Sequence, residues 1–161
     1  MTDTLSLEQR SQLMAKVHGK DTAIEKKVRS YLHEKGYRFR KYVAGLPGSP
    51  DIVLPKYKAA IFVHGCFWHG HSGCRKSRLP TTRHDFWEEK RRANLERDAR
   101  KINELLNAEW RVVVVWQCAL EKPVLFSQTM DELIRWISSG SSQCEIPGRQ
   151  ADGGLSSSGI Y

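Results

Sequence analysis

The chain lacks the features that would send it to a membrane or out of the cell. Its opening residues, Met1-Thr-Asp-Thr-Leu-Ser6, carry neither a basic stretch nor an apolar one, so no signal peptide is expected. No apolar run approaches the ~20 residues of a membrane-spanning helix, and no membrane partner is expected. Cysteine is sparse: only Cys66, Cys74, Cys118 and Cys144 are present. In the reducing cytoplasm these absences imply, grouped cysteines point to metal binding or catalysis more than to disulfides. Internal repeats are missing as well, and a length of 161 residues suits one domain with an ordinary core. Acid is the scarcer charge: 18 Asp and Glu face 26 Lys and Arg, a formal balance of +8. Such a surface suits a polyanion, nucleic acid first, although a protein can also be basic with no such partner.

The hydrophobic pattern is that of an α/β protein. Residues 1–20 read as a polar N-terminal arm or short helix, with Leu13, Met14 and Val17 on one face. Thr22-Ala-Ile-Glu25 has the form of a capping box, and Ile24, Val28, Tyr31 and Leu32 then mark one face of a helix that Gly36 stops. Alternation in Tyr37-Arg-Phe39-Arg-Lys41 suggests a half-exposed strand. Asp51–Leu54 and Ala59–Val63 read as two strands, the second apolar throughout as a central strand would be. A basic loop over 75–83 leads into a long helix over 85–107, rich in Lys and Arg outside its apolar stripe. Trp110–Trp116 is the strongest strand signal, and Leu125–Ile137 is a last helix. The order suggests a mixed sheet with helices packed on it. The domain is expected to span 21–138, and the Ser- and Gly-rich stretch 139–161 to form a disordered tail.

Chemistry-bearing residues concentrate between His64 and Cys74. Cys66-x4-His71-x2-Cys74, with Cys118 just beyond a buried strand, supplies the Cys3His set of a closed, structural zinc site. The alternative is three reduced cysteines in the core and a surface histidine. Asp51, at a strand edge beside the strand that ends at His64, can hold Mg2+ through oxygen; it can equally cap a turn after Pro50. His64 and His69 flank Cys66 and can move protons near neutral pH. Glu25 could complete an acid–base set or merely cap its helix. Phe67 and Trp68 are adjacent large aromatics that cannot both readily enter one core; exposed beside Arg and Lys, they suit contact with bases. One of the two could instead plug the zinc loop, and Trp87 is ambiguous in the same way.

In order along the chain stand Gly19-Lys-Asp-Thr22 with Glu25, Leu46-Pro-Gly-x-Pro-Asp51 and Ile61-Phe-Val-His-Gly-Cys-Phe-Trp-His69. Then come Arg83-x-x-Phe86-Trp87 with Lys90, Asn94-x-x-Arg97-Asp98, and Trp110-Arg-Val with Val115-Trp116-x-Cys118. The series, from about Met14 to Ile137, resembles the very-short-patch-repair (Vsr) DNA mismatch endonucleases. The resemblance implies a restriction-endonuclease-like core that nicks one strand 5′ to the thymine of a T·G mismatch, a product of 5-methylcytosine deamination. It implies that Asp51 bridges two Mg2+ ions with help from the Val63 carbonyl. His69 would transfer protons, supported by His64 and Glu25. Cys66, His71, Cys74 and Cys118 would hold structural zinc. Phe67 and Trp68 would enter the duplex with Trp87 flanking them, and Met14 would reach from the minor-groove side. A monomer acting on mismatched double-stranded DNA is expected, with other mismatch-repair proteins as further partners.

Two departures stand out. The second strand ends Phe62-Val-His64 without the acidic-x-Lys pair common in nucleases of this fold, a gap the Vsr-like family shares. Ser72 and Gly73 separate His71 from Cys74 where the family often has one residue, so His69 competes with His71 as the zinc ligand. Two other readings remain: a related endonuclease with a different DNA target, and a catalytically silent, zinc-stabilised DNA-binding module.

Overall fold

The two central strands alternate two apolar sets, and each set needs its own cover. The computed structural model, which describes residues 22–147 together with Ser6, Glu8 and Gln9, supplies that cover with three helices. The elements are α1 (Ala23–Glu34), β1 (Ile52–Leu54), β2 (Ala59–His64), α2 (His84–Asn107), β3 (Arg111–Trp116), α3 (Pro123–Ser138) and β4 (Gln143–Ile146). The strands form one sheet in the order β1-β2-β3-β4. β1 runs antiparallel to β2, while β2, β3 and β4 are parallel. The fold is therefore mixed α/β. Met14 and the rest of the expected arm lie outside the described residues, apart from those three.

Ala59, Ile61, Val113 and Val115 face a core completed by Val28 and Leu32 of α1 and Met130, Leu133 and Ile137 of α3. Ala60, Phe62, Val112, Val114 and Trp116 face the other way, against Leu105 and Ile102 of α2. Both faces of β2 and β3 are covered, which is why these strands read as unbroken apolar runs. The long α2 is the crossover that a parallel β2–β3 pair requires. No helix among the described residues is long and apolar enough to cross a membrane.

Two expectations change. Residues 37–41 make only an isolated bridge, Arg40 with Val53, rather than a strand. Alternation there reflects Tyr37 and Phe39 packing beside the first core from an irregular segment. The tail does not begin at 139. Gln143–Ile146 pair with Val112–Val115 as a fully buried strand. Cys144 and Ile146 enter the first core, and the Glu145 carboxylate accepts a 2.7 Å hydrogen bond from Trp116 Nε1 on the other face. Four residues of mixed polarity after a Gly/Ser stretch hide this strand from composition. Residues 148–161 lie outside the description.

Ending the chain at Ser142 deletes β4, opening the edge of β3 and orphaning the Trp116 indole N–H. The truncated protein should lose about 3 kcal/mol or more in urea unfolding. An unchanged midpoint would show that β4 does not belong to the cooperative fold.

Candidate active site and metal cluster

Asp51 precedes β1 and is carried to the sheet edge by the antiparallel register, where its Oδ2 accepts a 2.7 Å hydrogen bond from the Val63 N–H. Burial pushes its pKa up from an ordinary 3.8 to about 7; the Val63 bond opposes the shift and the charge of nearby Glu25 adds to it. Asp51 lines a cleft of about 240 Å³ with Val63, His64, His69, Asp98 and Lys101. His64, the last residue of β2, is buried, and its imidazole stacks on that of His69 with centroids 3.8 Å apart and planes 7° apart. Burial, and then the neighbouring His69, hold His64 well below the usual histidine range, so it is neutral. His69 Nδ1 lies 2.6 Å from Asp98 Oδ2 on α2. A carboxylate on one ring nitrogen orients the imidazole and leaves the other for proton exchange.

Glu25 does not line the cleft. Its N–H donates to Thr22 Oγ1 at 3.2 Å, half of the expected capping box. Its buried carboxylate accepts from Tyr42 Oη and from Arg29 Nη1. Glu25 thus acts on Asp51 through its charge.

The loop after β2 turns back on itself through bonds from the His69 N–H to Gly65 O and the His71 N–H to Cys66 O. This geometry separates the two competing histidines. His71 Nδ1 lies 3.6 Å from Cys66 Sγ and 3.4 Å from Cys118 Sγ, while His69 faces Asp98. The Ser72-Gly73 spacing is taken up by a turn in which Gly73 adopts φ +75°, closed by the Cys74 N–H on His71 O at 3.3 Å. The buried Ser77 hydroxyl lies within hydrogen-bond distance of both His71 O and Cys74 O, fastening that turn. Cys66, His71, Cys74 and Cys118 bring their ligand atoms within 4.8 Å of one another, and none of the four cysteines of the chain forms a disulfide. A hydrogen bond from Cys118 holds the Cys66 thiol down to about 4; Cys118, sharing its proton with that thiolate, is pushed far up. Three thiols that cannot all ionise unaided, with an imidazole among them, suit a tetrahedral dication such as zinc.

Phe67, Trp68, Phe86 and Trp87 form one aromatic cluster. Trp87 is its buried floor, within 5.7 Å of Phe67 and 6.2 Å of Trp68 by centroid. Phe67 and Trp68 are partly exposed, and Lys90 Nζ sits about 6 Å from three of the rings. Sequence reasoning missed what holds this cluster. Arg91 donates to the Phe67 carbonyl at 3.0 Å, and Asn94 donates to the Trp68 carbonyl at 3.1 Å. Arg91, Asn94 and Asp98 follow i, i+3, i+7 spacing, one stripe of α2. That spacing was visible, but nothing in it tells which loop carbonyls and ring the three side chains meet.

The sequence matches the family described as DNA mismatch endonuclease Vsr over residues 2–76. It is 56% identical over 120 residues to "Type II nicking enzyme V.XorIIP" of Xanthomonas oryzae pv. oryzae, covering 74% of this chain and 88% of that one. It is 43% identical over 137 residues to "Type II nicking enzyme V.NmeAIP" of Neisseria meningitidis, covering 85% and 97%. Against "DNA mismatch endonuclease Vsr" of Escherichia coli strain K12 the identity is 42% over 148 residues, covering 91% and 94%. The protein is a DNA endonuclease. It belongs to the DNA mismatch endonuclease Vsr family.

The Asp51 carboxyl sets a pH dependence in metal-free protein. The folded state keeps its proton to about pH 7, whereas the unfolded chain releases it near 3.8. Between those values the native state binds more protons, so this group's contribution to stability falls as pH rises and is lowest above pH 7. In chelator near pH 8, Asp51→Asn should be about 1–3 kcal/mol more stable than wild type in urea unfolding. The gain should shrink toward pH 5; a pH-independent difference would remove desolvation as its cause.

Proposed function

We propose that the protein nicks one strand of a DNA duplex 5′ to the thymine of a T·G mismatch left by deamination of 5-methylcytosine. The observation that carries this reading is one cleft uniting a buried carboxyl, Asp51, with the His69–Asp98 pair. It stands in a chain 42% identical over nearly its whole length to a relative named as a DNA mismatch endonuclease. The mixed sheet between helix layers supports a restriction-endonuclease-like core.

In this reading Asp51 and the Val63 carbonyl would hold the Mg2+ ions, two in number. The donor set fits: an oxygen ligand at an open, polar cleft suits a hard cation that keeps its waters. When bound, Mg2+ supplies a water acidic enough to attack and a charge for the leaving oxygen. His69, turned by Asp98 so that Nε2 faces reactants, takes or delivers the proton. His64 fixes the His69 ring plane by stacking and stays neutral, adding no charge beneath it. Glu25, set by Tyr42 and Arg29, raises the local demand for a cation at Asp51. Zinc on Cys66, His71, Cys74 and Cys118 is structural, because four protein donors leave no open position. Phe67 and Trp68 enter the duplex from the platform that Trp87 floors, and Met14 would reach it from the minor-groove side. The protein acts as a monomer, with other mismatch-repair proteins as partners.

Purified protein with Mg2+ should nick a T·G duplex in a methylation context and leave the matched duplex intact. Asp51→Asn should reduce the nicking rate by about 1000-fold or more while leaving affinity for DNA within a few-fold. Equal cleavage of matched and mismatched duplexes would favour the second reading, an endonuclease with a different DNA target, which the "Type II nicking enzyme" relatives support. Binding without cleavage of any duplex would point to a silent DNA-binding module.

The zinc reading has its own measurement. Wild-type protein should carry about one zinc per chain, and Cys118→Ala should lose it and unfold at a lower urea concentration. Metal analysis that finds no zinc in the wild type overturns the assignment.

A further inference from the structure

The cleft around Asp51 and His69 must take an anion, yet the side chains given a role in it so far are carboxylates and imidazoles. Among the described residues its only Lys or Arg lining residues are Arg97 and Lys101, one turn apart on α2. Strand β2 ends Phe62-Val63-His64 and brings no cation to this side. Among the described residues neither Arg97 nor Lys101 is joined to a carboxylate or to any hydrogen-bond acceptor, whereas Asp98 between them is engaged by His69. Lys101 is half-buried, and its stem is held. A Cβ added to Gly48 would stand 3.0 Å from the Lys101 Cβ and 3.3 Å from the Phe62 ring, so only the bare backbone at φ +75° lets the 45–50 loop close on that stem. A fixed stem with an unpaired ammonium at its end is a point charge set in advance.

We propose that Lys101 and Arg97 form the phosphate subsite of this cleft. The Lys101 ammonium binds a non-bridging oxygen of the phosphodiester that is cut, and Arg97, exposed at the mouth, binds the same strand beside it. This rests on reading the cleft as the place of strand cleavage. The ligand class is a backbone phosphate of DNA, recognised through charge and not through base identity. Lys101 stands on the same helix stripe as Arg91, Asn94 and Asp98, so the helix that braces the aromatic cluster and orients His69 also receives the backbone.

Lys101→Met keeps the methylene stem against Gly48 and removes only the charge. Arg100→Met, on the exposed side of the same helix, is the control for bulk charge. Binding is measured without added Mg2+ on mismatched duplexes in which one phosphate at a time is neutralised as a methylphosphonate. Wild type should lose about 3- to 10-fold in affinity at the phosphate that lies in the cleft. Lys101→Met should bind that duplex and the unmodified one equally, keep the penalties at other positions, and show a salt slope smaller by about 1. With Mg2+, its single-turnover nicking should fall by about 10-fold or more, against less than about 3-fold for Arg100→Met. Conservative Lys101→Arg should restore part of the rate. If no methylphosphonate penalty disappears in Lys101→Met, or if Arg100→Met matches its loss, the subsite is overturned. The scan needs no cleavage, so absent or misplaced nicking by wild type strikes the proposed function, while the binding data alone decide the phosphate subsite.

Discussion

The parallel register of β2 on β3 is the constraint on which the rest depends. It sets Val63 opposite Val115 and His64 opposite Trp116. Cys66 and Cys118 each stand two residues beyond that last pair, so strands that end together deliver two thiols to one place although 51 residues of chain separate them. His71 then stacks on Trp116, with centroids 4.3 Å apart and planes 10° apart, which carries its Nδ1 to the same thiols. The loop from Gly65 to Cys74 is folded on itself by three backbone hydrogen bonds. It inherits its position from the end of a two-strand ladder.

The same ladder makes the cleft electrostatically unusual. Covering both faces of β2 leaves its end poorly solvated, and desolvation acts oppositely on the two kinds of group there. The Asp51 carboxyl is driven toward its protonated form and the His64 imidazole toward its neutral one. Both changes remove charge, so the cleft costs the fold less than a pair of full charges would. A carboxyl so placed takes up its charge at low cost only where a counter-charge replaces the lost water. A buried carboxyl that waits for a counter-charge is a poor stabilising device and a good binding one.

Much of this was legible in the chain, and the exceptions have physical causes. The helices and central strands showed in their apolar periods because each packs against a covered face. Asp51, His64, His69 and the Cys3His set were visible as residue types at telling spacings. β4 was not, because Gln143 and Glu145 read as surface residues; Glu145 is buried with its carboxylate on the Trp116 indole. Glu25 could be read as a cap or as part of an acid–base set; the cap uses only its N–H, which leaves the carboxylate to Tyr42 and Arg29. Nor could spacing decide between His69 and His71. The two are two residues apart, and only the turn through Gly70 and Gly73, both with positive φ, sends their rings to different partners.

What remains is why α2 should be so long and so charged when so little of it is buried. Only Trp87 and Leu105 on it are buried, 18 residues apart in a 24-residue helix, so packing alone does not hold it against the sheet. Apart from the partly buried Ile102, its attachment between those anchors is polar: Arg91 to the Phe67 carbonyl, Asn94 to the Trp68 carbonyl, Asp98 to the His69 ring. These three bonds take three consecutive residues of the loop and fix them to three successive turns of one rigid rod. A displacement of Trp68 that breaks the Asn94 bond therefore reaches His69 through a single peptide unit. It meets resistance one helical turn further on, at Asp98. The Trp68 and His69 side chains are in this way mechanically one unit, and the cost of moving either is set largely by charged and amide hydrogen bonds.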